Sequence, residues 1–217
     1  MGALDRFLAA MPAEQDADLM LCREHGVAYQ RDRAHSVAYD EAYFEKTASH
    51  PAQMVDAITE ARIALVARHV GGAPILDIGI GAGDFIARRP RTWGRDVNPA
   101  AVAWLRERGR WAETLDGFAG VTMWDVIEHL HEPEQYLQHI QLHGWLFVSV
   151  PLVYGLGGIR LSRHYRPGEH LTYWTEGGFL AWMDQHGFRV YERNDAEIQA
   201  GRESVYSFAF KRCRWPA

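Results

Sequence analysis

The chain has 217 residues, 47% of them apolar and 12% aromatic, enough to bury the core of one domain with an appendage. A formal net charge of -5 argues against a general phosphate-binding surface, because non-specific nucleic-acid affinity comes from clustered Lys and Arg, and the C-terminal KRCRW is too short to supply one. The two cysteines, Cys22 and Cys213, build neither a disulfide framework nor a four-ligand zinc site by themselves. No apolar run approaches the ~20 residues that span a bilayer, and the first twenty residues lack the charged-then-apolar order of a signal peptide. A soluble, cytoplasmic protein without a membrane partner is the expectation.

Residues 1–50 carry little β-branched content and are rich in Ala, Asp, Glu, His and Tyr, which predicts a helical appendage. Within it Tyr39, Tyr43 and Phe44 fall on one helical face, either closing over a ligand or packing on the core. Cys22 and His25 have a metal-like separation, but two ligands without a second pair do not make a site, and no metal is assigned. A helix start at Pro51 precedes Met54, Ile58, Ala61, Leu65 and Val66 at helical spacing, and Gly71-Gly72 stops it. Residues 51–217 are the expected core domain.

From there the chain alternates. PILDIG is a short apolar strand and GDFIARR a helix start; WGRDV is a second strand, and NPAAVAWLRERG a helix capped by Asn98 with Pro99 in its first turn. GVTMWDVI, EPEQYLQHIQLH and GWLFVSVP continue as strand, helix and strand. Such alternation implies right-handed crossovers and a doubly wound, mostly parallel α/β sheet. Residues 152–175 keep no period and predict a long loop or lid. A helix at TEGGFLAWMDQHG and two strands joined by a short turn then end the chain in an antiparallel hairpin.

The stretch PILDIGIGAGDFI places Gly79, Gly81 and Gly83 behind the first strand, where a doubly wound sheet binds ligands. Glycine there permits a tight turn and the approach of a ligand to bare backbone beside free N–H groups of the next helix. Asp96 follows Asp77 at the end of the second strand, where a carboxylate can accept both hydroxyls of a ribose. A nucleoside cofactor is indicated. The third glycine arrives one residue early for a dinucleotide motif, and Asp84 in the first turn would repel a pyrophosphate, though not a cationic sulfonium.

At this point ILDIGIGAGDF resembles the first motif of class I S-adenosylmethionine-dependent methyltransferases, and GRDVNPAAVAWL their second-strand acidic motif. VTMWDVIEHLHEPEQYL is similar to the fourth-strand segment of the small-molecule branch that includes ubiquinone-biosynthesis O-methyltransferases, and the order continues through EHLTYWTEGGFLAWMDQHGF. The resemblance implies a seven-stranded sheet with an antiparallel last strand and S-adenosylmethionine as cofactor. It implies that Asp77, Gly79, Gly81 and Gly83 face the methionine part and Asp96 the ribose. Val97 and Asn98 would border the adenine, and Trp124 and Asp125 edge the pocket. The segment RWAETLDGFAG is short for a third strand, and Glu113 and Asp116 are both candidates for the adenine contact.

The implied activity is methyl transfer to an O, N or C nucleophile of a small molecule. A cofactor-binding regulatory or assembly protein is the alternative, as is a nucleic-acid-linked or protein acceptor; a nicotinamide oxidoreductase is disfavoured by the glycine spacing. DVIE stands where base-flipping amino-methyltransferases carry Asn or Asp with Pro-Pro, so a flipped base is disfavoured. Candidate bases after the fourth strand are Glu128, His129 and His131; those in the later loop are His164, Tyr165, His170 and Tyr173. Glu128, His129 and His170 are the three selected as catalytic. The Glu-His pair serves equally well to cap or fix the loop.

Overall fold

The computed structural model describes residues 14–16, 18–32, 38, 40, 42 and 51–216. Its centre is a six-stranded sheet in the order β5-β4-β6-β7-β10-β9. The strands are β4 (Ile75–Ile78), β5 (Thr92–Arg95), β6 (Gly120–Trp124), β7 (Trp145–Pro151), β9 (Phe188–Asn194) and β10 (Val205–Arg212). The first four pair in parallel, and β10 runs antiparallel to both β7 and β9. Every residue of β4 and β6 is buried, as a strand covered on both faces requires.

The strand order reverses at β4, with β5 on one side and β6 on the other. A crevice therefore opens beyond the carboxyl ends of β4 and β6. Helices pack around it. Helix α1 (Ala52–Val70) buries Ile58, Leu65 and Val66, and short α2 (Asp84–Arg88) follows β4 at once. Helix α3 (Pro99–Glu107) begins as the sequence predicts, with Asn98 Oδ1 accepting from Ala100 N at 2.9 Å and Pro99 in the first turn. Helix α4 is only Glu134–Leu137, shorter than its sequence pattern, while α5 (Glu176–Gln185) is capped by the Thr175 side chain. Helix α6 (Ala196–Gln199) bridges β9 and β10. Among the described residues no helix is long and apolar enough to cross a membrane.

The expected seventh strand is reduced to one parallel bridge between Gly94 and Trp111. Gly94 N donates to Arg110 O and its carbonyl accepts from Ala112 N, after which exposed, polar residues lead away from the sheet. With Ala112 the buried member of residues 111–117, no longer strand forms there.

The helical reading of residues 1–50 is overturned where the chain is described. Glu14–Asp16 (β1), Leu19–Cys22 (β2) and Val27–Gln30 (β3) form an antiparallel meander, and β3 pairs with β8 (Thr172–Trp174) from the predicted loop. Leu19, Leu21, Ala28 and Tyr173 bury one face against Val153, Leu156 and Ile159, so segments more than a hundred residues apart share one small core. Residues 152–175 thus form a docked insertion, carrying a 3-10 turn at Leu156–Leu161, rather than a structureless loop. Tyr39, Tyr43 and Phe44 lie outside the described residues.

Candidate active site

The glycine loop leaves β4 with Gly79, Gly81 and Gly83 all at positive φ, 73°, 54° and 86°. They do different jobs. A Cβ on Gly79 would meet Val126 Cγ2 at 2.5 Å and one on Gly83 would meet Trp104 at 3.0 Å, so both allow close packing of the protein on itself. Gly81 has nothing within 4 Å of such an atom and faces open space. A bare backbone at that point is available to a ligand.

Asp96 closes the loop from β5. Its Oδ2 accepts from Ile80 N and its Oδ1 from Asn98 N, both at 2.8 Å. A carboxylate has about four acceptor positions, so both oxygens keep capacity for a pair of hydroxyls. Burial raises the Asp96 pKa against these backbone hydrogen bonds. Val97 beside it is 74% exposed, an apolar side chain left uncovered at the mouth of the crevice. Asn98 is buried and held at both ends: its Oδ1 caps α3 and its Nδ2 donates to Asp40 O at 2.6 Å.

Asp77 is buried in β4 and accepts from Thr122 Oγ1 at 2.6 Å. Burial pushes its carboxyl up to about 7, outweighing the Thr122 hydrogen bond and the attraction of Arg62, with Asp96 adding repulsion. Trp124 departs from expectation. Its ring is 6% exposed, packed edge-on to Phe85 with the Arg62 guanidinium 5.0 Å over it, so it belongs to the core under α1 and does not edge an open pocket. Alternation along β6 turns the side chain away from the crevice face.

Asp125 follows β6 at φ 57°, the left-handed region that a non-glycine residue seldom adopts. Arg62 Nη2 donates to its Oδ2 at 2.9 Å and Arg202 Nη1 at 2.6 Å, and both arginines also pair with buried Glu197. Ser149 and Ser207 complete this network, which ties α1, β6, β7, α6 and β10 at the carboxyl edge. Against its desolvation, Arg202 and Arg62 hold the Asp125 carboxyl far below its ordinary range. Sequence reading missed Arg62, Arg202 and Glu197. The one local signal was a charged Arg62 four residues after Ile58, on the buried face of α1.

The left-handed turn at Asp125 leads into a 3-10 turn, Ile127–His129, and delivers Glu128 and His129 beside His170 from the insertion. The rings of His129 and His170 meet edge to face with centroids 4.6 Å apart, and His129 Nε2 lies 3.8 Å from Glu128 Oε1. Backbone hydrogen bonds lock the two segments together, Leu171 N to Glu128 O at 2.8 Å and His129 Nδ1 to Glu169 O at 3.0 Å. Glu128 is 1% exposed, and burial, then the charge of Asp125, raises its pKa well above the usual range. Burial takes His170 down to about 2, helped by His129, Arg166 and His164. His164 stacks on His170 at 6.4 Å, whereas His131 is exposed. Tyr165 and Tyr173 sit in the small-sheet core, where the Tyr173 ring also borders His170 at 6.2 Å. Cys22 and His25 contact each other at 3.1 Å in the β2–β3 turn.

A family profile described as Methyltransferase domain matches residues 47–193. The chain belongs to this methyltransferase family. No curated protein matches it by sequence. Among solved structures this methyltransferase domain is similar to 1,6-didemethyltoxoflavin-N1-methyltransferase of Burkholderia thailandensis, bound to 1,6-didemethyltoxoflavin and S-adenosylhomocysteine, at 16% identity and a TM-score of 0.53, covering 94% of this chain and all of that one. Magnesium protoporphyrin IX methyltransferase of Synechocystis PCC 6803, with bound S-adenosylhomocysteine, aligns at 13% identity and a TM-score of 0.55 over 79% and 93% of the two chains. A methyltransferase of Aquifex aeolicus gives 14%, 0.57, 79% and 97%. At these identities the likeness establishes the Rossmann-like methyltransferase fold, and the six-stranded sheet with its antiparallel end is that fold with a vestigial third strand.

Proposed function

We propose that the protein transfers a methyl group from S-adenosylmethionine to an O, N or C nucleophile of a small molecule. The observation that carries this reading is the pairing of an open, positive-φ Gly81 with the Asp96 carboxylate across the mouth of the crevice. When bound, the cofactor supplies an electrophilic methyl group on a sulfonium. Asp96 has acceptor capacity for two ribose hydroxyls, and exposed Val97 offers an apolar platform to a purine. Gly81 and Asp77 receive the methionine end, Gly79 and Gly83 shaping the loop by close packing behind it, and the buried carboxylate gives a counter-charge to the ammonium and sulfonium. Asn98 serves indirectly, by fixing the start of α3. Asp125 acts in the same way, by turning the chain after β6.

The acceptor side is assigned to buried Glu128 and His170 and half-buried His129, between the sheet edge and residues 152–175. Their placement puts lone pairs near the end of β6 in a site with little room for water, and excluding water and orienting the nucleophile are most of what an in-line methyl transfer needs. Similar structures support a small acceptor: one is a didemethyltoxoflavin methyltransferase, another a magnesium protoporphyrin IX methyltransferase. Calorimetry with S-adenosylhomocysteine and with NADH tests the cofactor. Saturable binding of the first alone is expected, and binding of the nicotinamide alone would overturn the reading.

A further inference from the structure

We infer that Glu128, His129 and His170 form a binding site for one divalent transition-metal ion, with zinc the best match to the donor set. One carboxylate and two imidazoles each present a ligand atom, and these atoms all lie within 4.8 Å of one another. Donors bound at ~2.1 Å to one ion sit ~3.0–3.4 Å apart in tetrahedral or octahedral geometry, so side-chain rotations of well under a turn close the set around an ion.

Two of the donors are buried without hydrogen-bond partners, and the third is oriented by a backbone carbonyl. Neither oxygen of Glu128 has a hydrogen-bond partner among the described residues, although the side chain is 1% exposed. A buried carboxyl without partners is costly as an anion, and coordination is one of the few arrangements that satisfies it. His170 is 3% exposed and its Nδ1 is likewise unpartnered. His129 contacts the Glu169 carbonyl through Nδ1, and since a carbonyl only accepts, Nδ1 is the donor there, while Nε2 lies 3.8 Å from Glu128 Oε1. Such a carbonyl–histidine contact is the outer-shell bond that orients metal-ligating imidazoles.

Leu171 N donates to Glu128 O, holding the insertion against the 3-10 turn, so ordering the ligands costs little on binding. Asp125, three residues before Glu128, stands outside this group of three, its Oδ2 held by Arg62 and Arg202. Three protein ligands leave coordination positions open, the composition of a reactive rather than a closed structural metal site.

The test uses the full chain, stripped with chelator and titrated with ZnCl2 or CoCl2, with bound metal measured by elemental analysis and melting temperature followed in parallel. One equivalent per chain and a higher melting temperature are expected. Glu128→Gln and His170→Ala should each weaken binding by at least tenfold, while Cys22→Ser leaves it unchanged. Circular dichroism of each stripped variant separates lost ligation from lost folding, and the Co2+ absorption of the wild-type chain reports nitrogen and oxygen donors directly. No stoichiometric metal in the wild type, thiolate-to-cobalt absorption, or loss of the ion in Cys22→Ser with retention in Glu128→Gln would overturn the inference. These readouts need neither cofactor nor acceptor, so failure here leaves the methyl-transfer reading standing, and absence of S-adenosylhomocysteine binding leaves this one.

Discussion

Arg202 Nη1 donates to Asp125 Oδ2 at 2.6 Å, joining the β9–β10 connection to the residue that turns the chain out of β6. Asp125 and Glu197 share Arg62 and Arg202, two negative charges against two positive. Removing one cation leaves a partly buried anion uncompensated. Arg202→Met should lower unfolding free energy by about 2–4 kcal/mol, measured by urea denaturation, because breaking a buried pair costs more than the pair gains. Reversing the order of removal checks the cause: in Glu197→Gln the further loss on Arg202→Met should be smaller, and equal losses in both backgrounds would refute the coupling.

Gly79 and Gly81 separate packing from ligand approach. Gly81→Ala places a methyl in open space at φ 54°, so about 1 kcal/mol of backbone strain is expected, together with a loss of S-adenosylhomocysteine affinity of at least tenfold. Gly79→Ala meets Val126 at 2.5 Å and should destabilise the fold more, with partial rescue by Val126→Ala. Thermal melts and calorimetry on the three variants decide it. Unchanged affinity in Gly81→Ala would place the ligand elsewhere.

Asp96→Ala removes both carboxylate oxygens from the crevice. It should weaken cofactor binding by about 1.5–3 kcal/mol through lost charge-assisted hydrogen bonds, and it should also loosen the loop by releasing Ile80 N and Asn98 N. Asp96→Asn keeps acceptor capacity at one position and should fall between the two. Calorimetry reads the affinities.

Asp77 gives the pH dependence. Its carboxyl titrates at about 7 in the folded chain against an ordinary 3.8, so between those values the native state holds a proton that the unfolded state has released. More protons on the native state means that stability falls as pH rises through this window, and the full penalty is present above pH 7. Asp77→Asn should flatten that slope in denaturation measured from pH 4 to 7.5. A cationic ligand favours the charged carboxylate, so affinity for S-adenosylmethionine should rise from pH 6 to 8 in the wild type and stay level in Asp77→Asn.

Much of this protein is written locally. Continuous apolar runs name β4, β6 and β7, Asn98-Pro99 starts a helix by a cap that acts within three residues, and glycines at alternate positions mark a turn that admits no Cβ at Gly79. These signals, with Asp96 one strand over, were enough to read both the doubly wound sheet and the methyltransferase family from the amino-acid sequence. Each rests on short-range sterics, hydrogen bonding or periodic burial, which a linear chain records.

What the tertiary structure decided depends on partners far along the chain. Strands β2 and β3 lack strong β-branched patterning and become strands because β8, more than 140 residues later, pairs with β3 and the insertion covers their apolar face. Trp111 forms a bridge but no strand, since exposed Glu113, Thr114 and Asp116 interrupt burial after Ala112. The direction of Trp124, the clamp of Arg62 and Arg202 on Asp125, and the arrival of His170 against His129 are likewise set by packing between separate elements. Local propensity is blind to such contacts because their free energy appears only once the chain has closed the loops between them.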